Sequence, residues 1–96
     1  MKRDWRVNPK VFAETCKAEV NRWSDEFVVL SVKVVDRAFD EWVLEIRAVH
    51  RNETVGFAVP DIHISRAMLK YSNAMPIWNL LNRMLKEAHD HLRFRA

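Results

Sequence analysis

The chain contains one glycine and one cysteine among its 96 residues, and these two scarcities exclude several classes of function. Phosphate-cradling loops and dinucleotide-binding turns require several glycines at fixed spacing, so Gly56 alone supports neither. Cys16 alone excludes an intrachain disulfide framework and any zinc site built from several cysteines. The longest apolar run is Phe27–Leu30, far shorter than the ~20 residues of a membrane-spanning helix. We therefore expect no membrane contact.

The composition is that of one folded domain. Apolar residues make up 49% of the chain and charged residues 30%, which is typical of globular rather than disordered proteins. We expect a single domain over residues 1–96, with basic, flexible ends at about 1–7 and 93–96. The unpaired cysteine and the charged, non-apolar start of the chain predict a cytoplasmic protein.

The net charge of +3 is concentrated at the two ends of the chain. Residues 1–10 have a net charge of +3 and residues 92–96 a net charge of +2, so residues 11–91 have a net charge of −2. A domain that binds a nucleic-acid duplex usually gathers its basic residues on one folded face. The charge distribution therefore favours weak, salt-sensitive attraction to polyanions over a dedicated duplex-binding surface.

The first third of the chain predicts a helix over about residues 9–23. Asn8-Pro9 is typical of a helix start, because Asn caps free amides and Pro fits the first turn. Apolar residues then recur at spacings of four, four and three, which places them on one helical face. These residues are Phe12, Cys16, Val20 and Trp23.

Alternating apolar residues predict three strands, at about 26–36, 42–49 and 54–59, that form an antiparallel meander. Opposed residues share one face of a sheet, so the apolar pattern predicts which residues pair. The expected pairs are Val34–Leu44, Lys33–Glu45, Val32–Ile46, Leu30–Ala48, Ala48–Val55 and Ile46–Phe57. Arg51-Asn52 is expected to form a two-residue turn.

The last third predicts a short helix over about 62–71 and a long helix from Pro76 to about Arg93. Pro60 is expected to end the third strand. The fold class is therefore α+β: a three-stranded antiparallel meander packed against an N-terminal helix and a long C-terminal helix, in the order α-β-β-β-α with one additional short helix. Double-stranded-RNA-binding domains share this order. They carry a lysine cluster where the last helix begins, whereas this chain reads Asp61-Ile62-His63-Ile64, so we do not assign the family.

No residue pattern in the chain indicates catalysis or a bound metal or cofactor. Cys16 lies on the apolar face of the first helix, where burial makes a thiol unreactive. His89 and His91 are two apart on a helix and point about 200° apart, so they cannot share a metal. His50 is expected to pair with Glu53 across the turn. His63 is expected to be exposed in the first turn of the short helix. We therefore expect no catalytic residues, no metal and no cofactor.

The four tryptophans are the more informative group. Trp23 and Trp42 lie on predicted core faces and are expected to be buried. Trp5 lies in the basic N-terminal arm, and Trp78 lies at the edge of the last helix. Exposed tryptophans are enriched at binding hot spots.

One face of the predicted sheet carries more apolar residues than a solvated face requires. A partner protein or a second copy, forming a homodimer, is expected to cover this face or the edge of the last helix. The expected interaction residues are Val29, Val35, Val43 and Val49 on the sheet, and Trp78 and Leu85 on the helix. The leading hypothesis is a small non-enzymatic protein-binding module, an adaptor or protein inhibitor of the kind that mobile genetic elements encode, which acts by occupying a partner surface.

Two alternatives remain at this point. The first is a nucleic-acid-binding protein that uses its basic ends and base stacking. Its expected contact residues are Lys2, Arg3, Trp5, Arg6, Arg93 and Arg95. The second is a small enzyme whose site assembles from residues far apart in the sequence.

The nucleic-acid alternative predicts that removal of residues 1–6 and 93–96 abolishes binding to oligonucleotides at low salt, because residues 11–91 have a net charge of −2. Binding of duplex and single-stranded oligonucleotides by the full and shortened chains measures this. Undiminished, sequence-selective binding by the shortened chain would show that the body of the protein has its own polyanion site.

Overall fold

A computed structural model describes residues 8–38, 40–69 and 75–95, which form three helices and three strands. The elements, in order, are α1 (Pro9–Trp23), β1 (Phe27–Arg37), β2 (Glu41–His50), β3 (Phe57–Ser65), α2 (Arg66–Leu69) and α3 (Met75–Arg95). The strands form one antiparallel sheet in the order β1-β2-β3. The predicted α+β class and the α-β-β-β-α order are confirmed.

Helix α1 begins and ends at the predicted residues. Its start is determined by a cap on the first turn. The Asn8 Oδ1 atom accepts hydrogen bonds from the backbone amides of Lys10 (3.0 Å) and Val11 (3.2 Å). The prediction that Trp23 is buried was wrong, since 55% of this residue is exposed. Its indole Nε1 donates a hydrogen bond to Glu19 Oε2 (3.0 Å), one turn earlier on the solvent side of the helix.

The register between β1 and β2 agrees with the prediction in the middle of the strands and departs from it towards both ends, where bulges lie between Val29 and Ser31 and between Val34 and Asp36. Val34–Leu44, Lys33–Glu45 and Val32–Ile46 are opposed as expected. The predicted Leu30–Ala48 pair was wrong: Val29 lies opposite Ala48, because a β-bulge between Val29 and Ser31 adds Leu30 as an extra residue. Each side chain before the bulge therefore lies on the face of the sheet opposite to the one predicted.

The prediction that Pro60 ends the third strand was wrong. Strand β3 continues to Ser65, and the helix expected over 62–71 is reduced to α2. Val59 lies opposite Ile46 and Ile62 lies opposite Leu44, so a bulge accommodates Pro60 and Asp61 together. Asp61 adopts a φ of 58°, a left-handed conformation that short polar side chains tolerate. Since β3 is an edge strand, it accepts a proline at a bulge without losing the strand.

The connection between β2 and β3 is longer than predicted. A turn forms at Arg51-Asn52 as expected, closed by a hydrogen bond from the Glu53 amide to the His50 carbonyl (2.9 Å). The chain re-enters the sheet only at Phe57. Phe57 therefore lies opposite Ala48 and not Ile46, and the predicted Ala48–Val55 pair does not form.

Helices α1 and α3 pack on the same face of the sheet, where the core lies. Helix α1 contacts mainly β1, and α3 contacts both α1 and β3. The Phe12 ring of α1 meets the Trp42 ring of β2 edge to face, with centroids 5.0 Å apart. Trp42 and Cys16 are buried as predicted, and Leu44, Ile46, Phe57 and Leu81 are buried with them. None of the helices in the described ranges is long and apolar enough to cross a membrane.

Replacing Leu81 with Ala is expected to reduce the free energy of unfolding by about 2–5 kcal/mol, because it removes a fully buried side chain and leaves a cavity. Urea denaturation measures this, with Arg83→Ala on the exposed side of α3 as the control. A loss for Leu81→Ala no larger than that of the control would contradict the position of α3 on the sheet.

Candidate functional site

The face of the sheet that points away from both helices carries apolar side chains that do not belong to the core. We call it the outer face. Its side chains alternate with the buried ones along each strand. Its members are Val28, Ser31, Lys33, Val35 and Asp36 on β1, Val43, Glu45, Arg47 and Val49 on β2, and Ala58 and His63 on β3. No helix in the described part of the chain lies on this face.

Three of the predicted interaction residues lie on the outer face. Val35 is 54% exposed, and Val43 and Val49 are partly exposed. The predicted outward position of Val29 was wrong: only 1% of this residue is exposed. The bulge that adds Leu30 turns Val29 towards the helices and places Val28 opposite Val49 on the outer face.

The prediction that Trp78 and Leu85 form an exposed edge of the last helix was also wrong. Trp78 is 8% exposed and Leu85 is completely buried, whereas Leu92 is 46% exposed. The apolar side chains of α3, which include Trp78, Leu81, Leu85 and Leu92, form a stripe along the helix that is wider than the surface it buries. Contacts with α1 and β3 determine which side of the stripe faces inward, and the sequence of α3 alone does not contain them.

Sequence reasoning missed Leu30, which is half exposed next to the outer face. Leu30 Cδ1 lies 3.6 Å from where a side-chain Cβ would lie at Gly56, so this leucine reaches across β2 towards the loop before β3. The run Val28-Val29-Leu30 is apolar on both faces. It therefore contains no alternation that would have located the extra residue of the bulge.

The two edges of the sheet are obstructed, unlike the outer face. On β1, the side-chain amide of Asn21 bonds both backbone groups of Val29. Its Oδ1 accepts from the amide (2.6 Å), and its Nδ2 donates to the carbonyl (3.2 Å). On β3, the bulge at Pro60 and Asp61 interrupts the edge midway. Both are established ways of preventing a foreign strand from pairing with a sheet edge.

The charges at the centre of the outer face have no partner elsewhere in the described part of the chain. Lys33 is opposed to Glu45 in the register, and Arg47 lies one outward position further along β2. Within residues 8–38, 40–69 and 75–95, neither Glu45 nor Arg47 forms a hydrogen bond or an ion pair. Both charges are therefore available to a molecule that binds this face.

His63 lies at one end of the outer face and not in a helix as predicted. It belongs to β3, and its Nδ1 lies 3.0 Å from Glu41 Oε1 on β2. Both side chains are exposed, and exposed ion pairs contribute little to stability.

A second group of residues, His50, Glu53 and His89 with the rings of Phe27 and Phe57, lies at the end of the core away from His63. We call it the histidine cluster. His89 of α3 is 7% exposed, and its Nε2 lies 2.8 Å and 3.0 Å from the two carboxylate oxygens of Glu53. The His50 ring stacks on the His89 ring, with centroids 4.9 Å apart and an interplanar angle of 18°. Phe27 and Phe57 surround His89, with ring centroids at 5.5 Å and 5.8 Å.

The histidine cluster corrects the predicted His50–Glu53 pair. Glu53 bonds His89, and His50 Nδ1 accepts a hydrogen bond from the Asn52 amide (3.2 Å). The pair joins loop 51–56 to α3 beside an open groove of about 640 Å³. No local sequence pattern indicates the Glu53–His89 pair, because the two residues are 36 positions apart.

No metal-binding group emerges from the histidine cluster or from other described residues. Within those ranges, no set of three or more His, Cys, Asp or Glu side chains is arranged to hold a metal ion. Cys16 is completely buried on α1, and desolvation by burial raises the pKa of its thiol above the usual range. A thiol in this environment remains protonated and unreactive at neutral pH.

The side chains expected to bind nucleic acid lie outside the part of the chain that the structure describes. Lys2, Arg3, Trp5 and Arg6 lie outside the described residues. Arg93 and Arg95 belong to the last turn of α3, and only their backbone is described. Of the expected flexible ends, residues 1–7 and 96 lie outside the described residues, and residues 93–95 belong to α3.

The chain matches no protein family model, no curated protein and no solved structure. Any functional conclusion must therefore come from the geometry of its own residues.

Replacing Glu53 with Ala is expected to lower the free energy of unfolding by about 1–3 kcal/mol, since it leaves the buried His89 Nε2 without its partner. The matched control in urea denaturation is Glu87→Ala, which removes an exposed carboxylate from α3, the helix that carries His89. Equal denaturation midpoints for the two variants would show that the Glu53–His89 pair does not stabilise the fold.

Proposed function

We propose that this chain is a small, non-enzymatic protein-binding module that occupies a partner surface with the outer face of its sheet. One observation supports the proposal above all. Val28, Val35, Val43 and Val49 lie on a face that neither α1 nor α3 covers, with Leu30 half exposed beside it. Antiparallel sheets usually present polar residues on a solvated face, so this apolar content favours contact with another molecule.

The shape and charge of the outer face favour a protein partner. Its central charges are Lys33, Glu45 and Arg47, which gives mixed signs and not the concentration of Lys and Arg that binds a phosphate backbone. Small-molecule sites are concave and enclose their ligand, whereas the outer face is one side of a three-stranded sheet. Apolar residues around a polar centre suit a protein surface of similar composition.

Occupying a surface requires no catalytic group. Binding would bury the valines, and burial of apolar surface contributes roughly 25 cal/mol per Å² before the costs of association are subtracted. The three central charges would restrict which surfaces fit, since a like charge directly opposite any of them is unfavourable. An adaptor or a protein inhibitor works in this way, by covering a surface that another molecule would otherwise use.

Replacing Val43 with Lys is expected to abolish partner binding without unfolding the protein, because it places a charge within the apolar part of a surface that is already partly exposed. The matched control is Ala18→Lys, which adds the same charge at an exposed position on α1. The measurement is quantitative mass spectrometry of proteins that each tagged variant captures from the native host, with circular dichroism to verify folding.

The expected result is that Val43→Lys and Val49→Lys lose the same captured proteins while Ala18→Lys retains them. Capture of one set of proteins by all three variants would show that the outer face is not the binding surface.

A further inference from the structure

The outward side chains of β2 form a pattern of apolar and charged residues. A second β2 strand running in the opposite direction would match it, with apolar residues meeting apolar residues and each charge meeting its opposite. In order they are Val43, Glu45, Arg47 and Val49, with the inward-facing Ile46 at the centre. Reversing the strand exchanges the two valines and places each charge where the opposite charge was. A second outer face, turned over and reversed, would therefore set Glu45 against the other copy's Arg47, and Val43 against its Val49.

The β1 residues follow the same operation. Val28 lies opposite Val49, and Asp36 lies opposite Val43, with the bulged Val35 next to Asp36. Reversal therefore brings Val28 of one copy to the end of β1 where the other copy presents Val35 and Asp36, so Val35 supplies the apolar contact there. Lys33 meets Ser31, which is uncharged and accepts a hydrogen bond.

The alternative two-fold arrangement is unfavourable. An axis parallel to β2 would place Glu45 over Glu45 and Arg47 over Arg47 of the second copy, and like charges in contact oppose association. The charge pattern therefore distinguishes between the two ways in which identical faces can meet. It selects the antiparallel one.

We infer that a second copy of this chain covers the outer face in the isolated protein. The two sheets pack face to face, with their β2 strands antiparallel, about a two-fold axis that passes level with Ile46. This inference rests on the outer face being the binding surface, as proposed above. Two features support it: Glu45 and Arg47 have no ion-pair partner within the described residues, and both sheet edges are obstructed. The face is only three strands wide, so the dimer is expected to be weak.

Two single charge reversals test the inference. Glu45→Arg makes both central charges of β2 positive, and Arg47→Glu makes both negative. Each variant alone is expected to dimerise at least tenfold more weakly than the unmodified chain, because like charges then meet across the axis. An equimolar mixture of the two is expected to recover association, since each positive pair then meets a negative pair.

Sedimentation velocity over a micromolar concentration range measures each case. The unmodified chain should approach twice 11.4 kDa, the single variants should remain near 11.4 kDa, and the mixture should return to the larger species. The double variant, carrying both Glu45→Arg and Arg47→Glu, restores the reversed pattern within one chain and is expected to dimerise alone. Recovery in the mixture also shows that both single variants are folded.

Three outcomes would overturn the inference: a monomeric unmodified chain at every concentration, single variants that dimerise as well as the unmodified chain, or a mixture that fails to associate. These outcomes are distinct from failure of the proposed function. If the unmodified chain is monomeric but Val43→Lys still loses the captured proteins, the outer face binds a different protein. If neither dimerisation nor capture responds to Val43→Lys, the proposed function fails as well.

Discussion

The bulge at Leu30 determines which residues at the start of β1 reach the core, and both the histidine cluster and part of the outer face depend on it. Side chains alternate between the two faces of a strand, so one additional residue reverses every position before it. The reversal turns Phe27 inward, where its ring meets both His89 and Phe57. It also places Val28 on the outer face and leaves Leu30 half exposed. The bulge at Leu30 therefore shapes both the core around Phe27 and the start of β1 on the outer face.

The sequence predicts the elements whose periodicity is uninterrupted and fails where an extra residue enters. The bounds of α1 and the Val34–Leu44 and Val32–Ile46 pairs follow from regular spacing and a capping residue, which are local signals. Pro60 indicates a strand end in any local interpretation. Only the edge position of β3 and the left-handed Asp61 make it compatible with a continuous strand. For the same reason the outer face could be predicted in outline, through Val35, Val43 and Val49, but not the inward turn of Val29.

The histidine cluster and the outer face have different roles. His89 is nearly buried, its Nε2 is held by Glu53, and aromatic rings surround it, so its bonds close the end of the core and attach loop 51–56 to α3. Arg51 reinforces this end by donating to the carbonyl of Ser24 (3.1 Å), beyond the last turn of α1. Glu45 and Arg47, at the centre of the outer face, have no such partners among the described residues. Polar groups that are satisfied within the fold stabilise it, whereas Glu45 and Arg47 remain available for recognition.

The proposed self-association and partner binding would exclude each other, because both would bury Val43 and Val49. A weak dimer would then protect the apolar face at high concentration and release it as the protein is diluted or as a partner competes. In either proposed complex the valines would supply apolar contact, and the Glu45–Arg47 pattern would restrict how the surfaces meet. A partner that displaces the second copy must therefore present apolar residues at both ends of its contact and opposite charges, in reversed order, at the centre. This requirement describes the chemistry of the partner surface more narrowly than the apolar content of the outer face does alone.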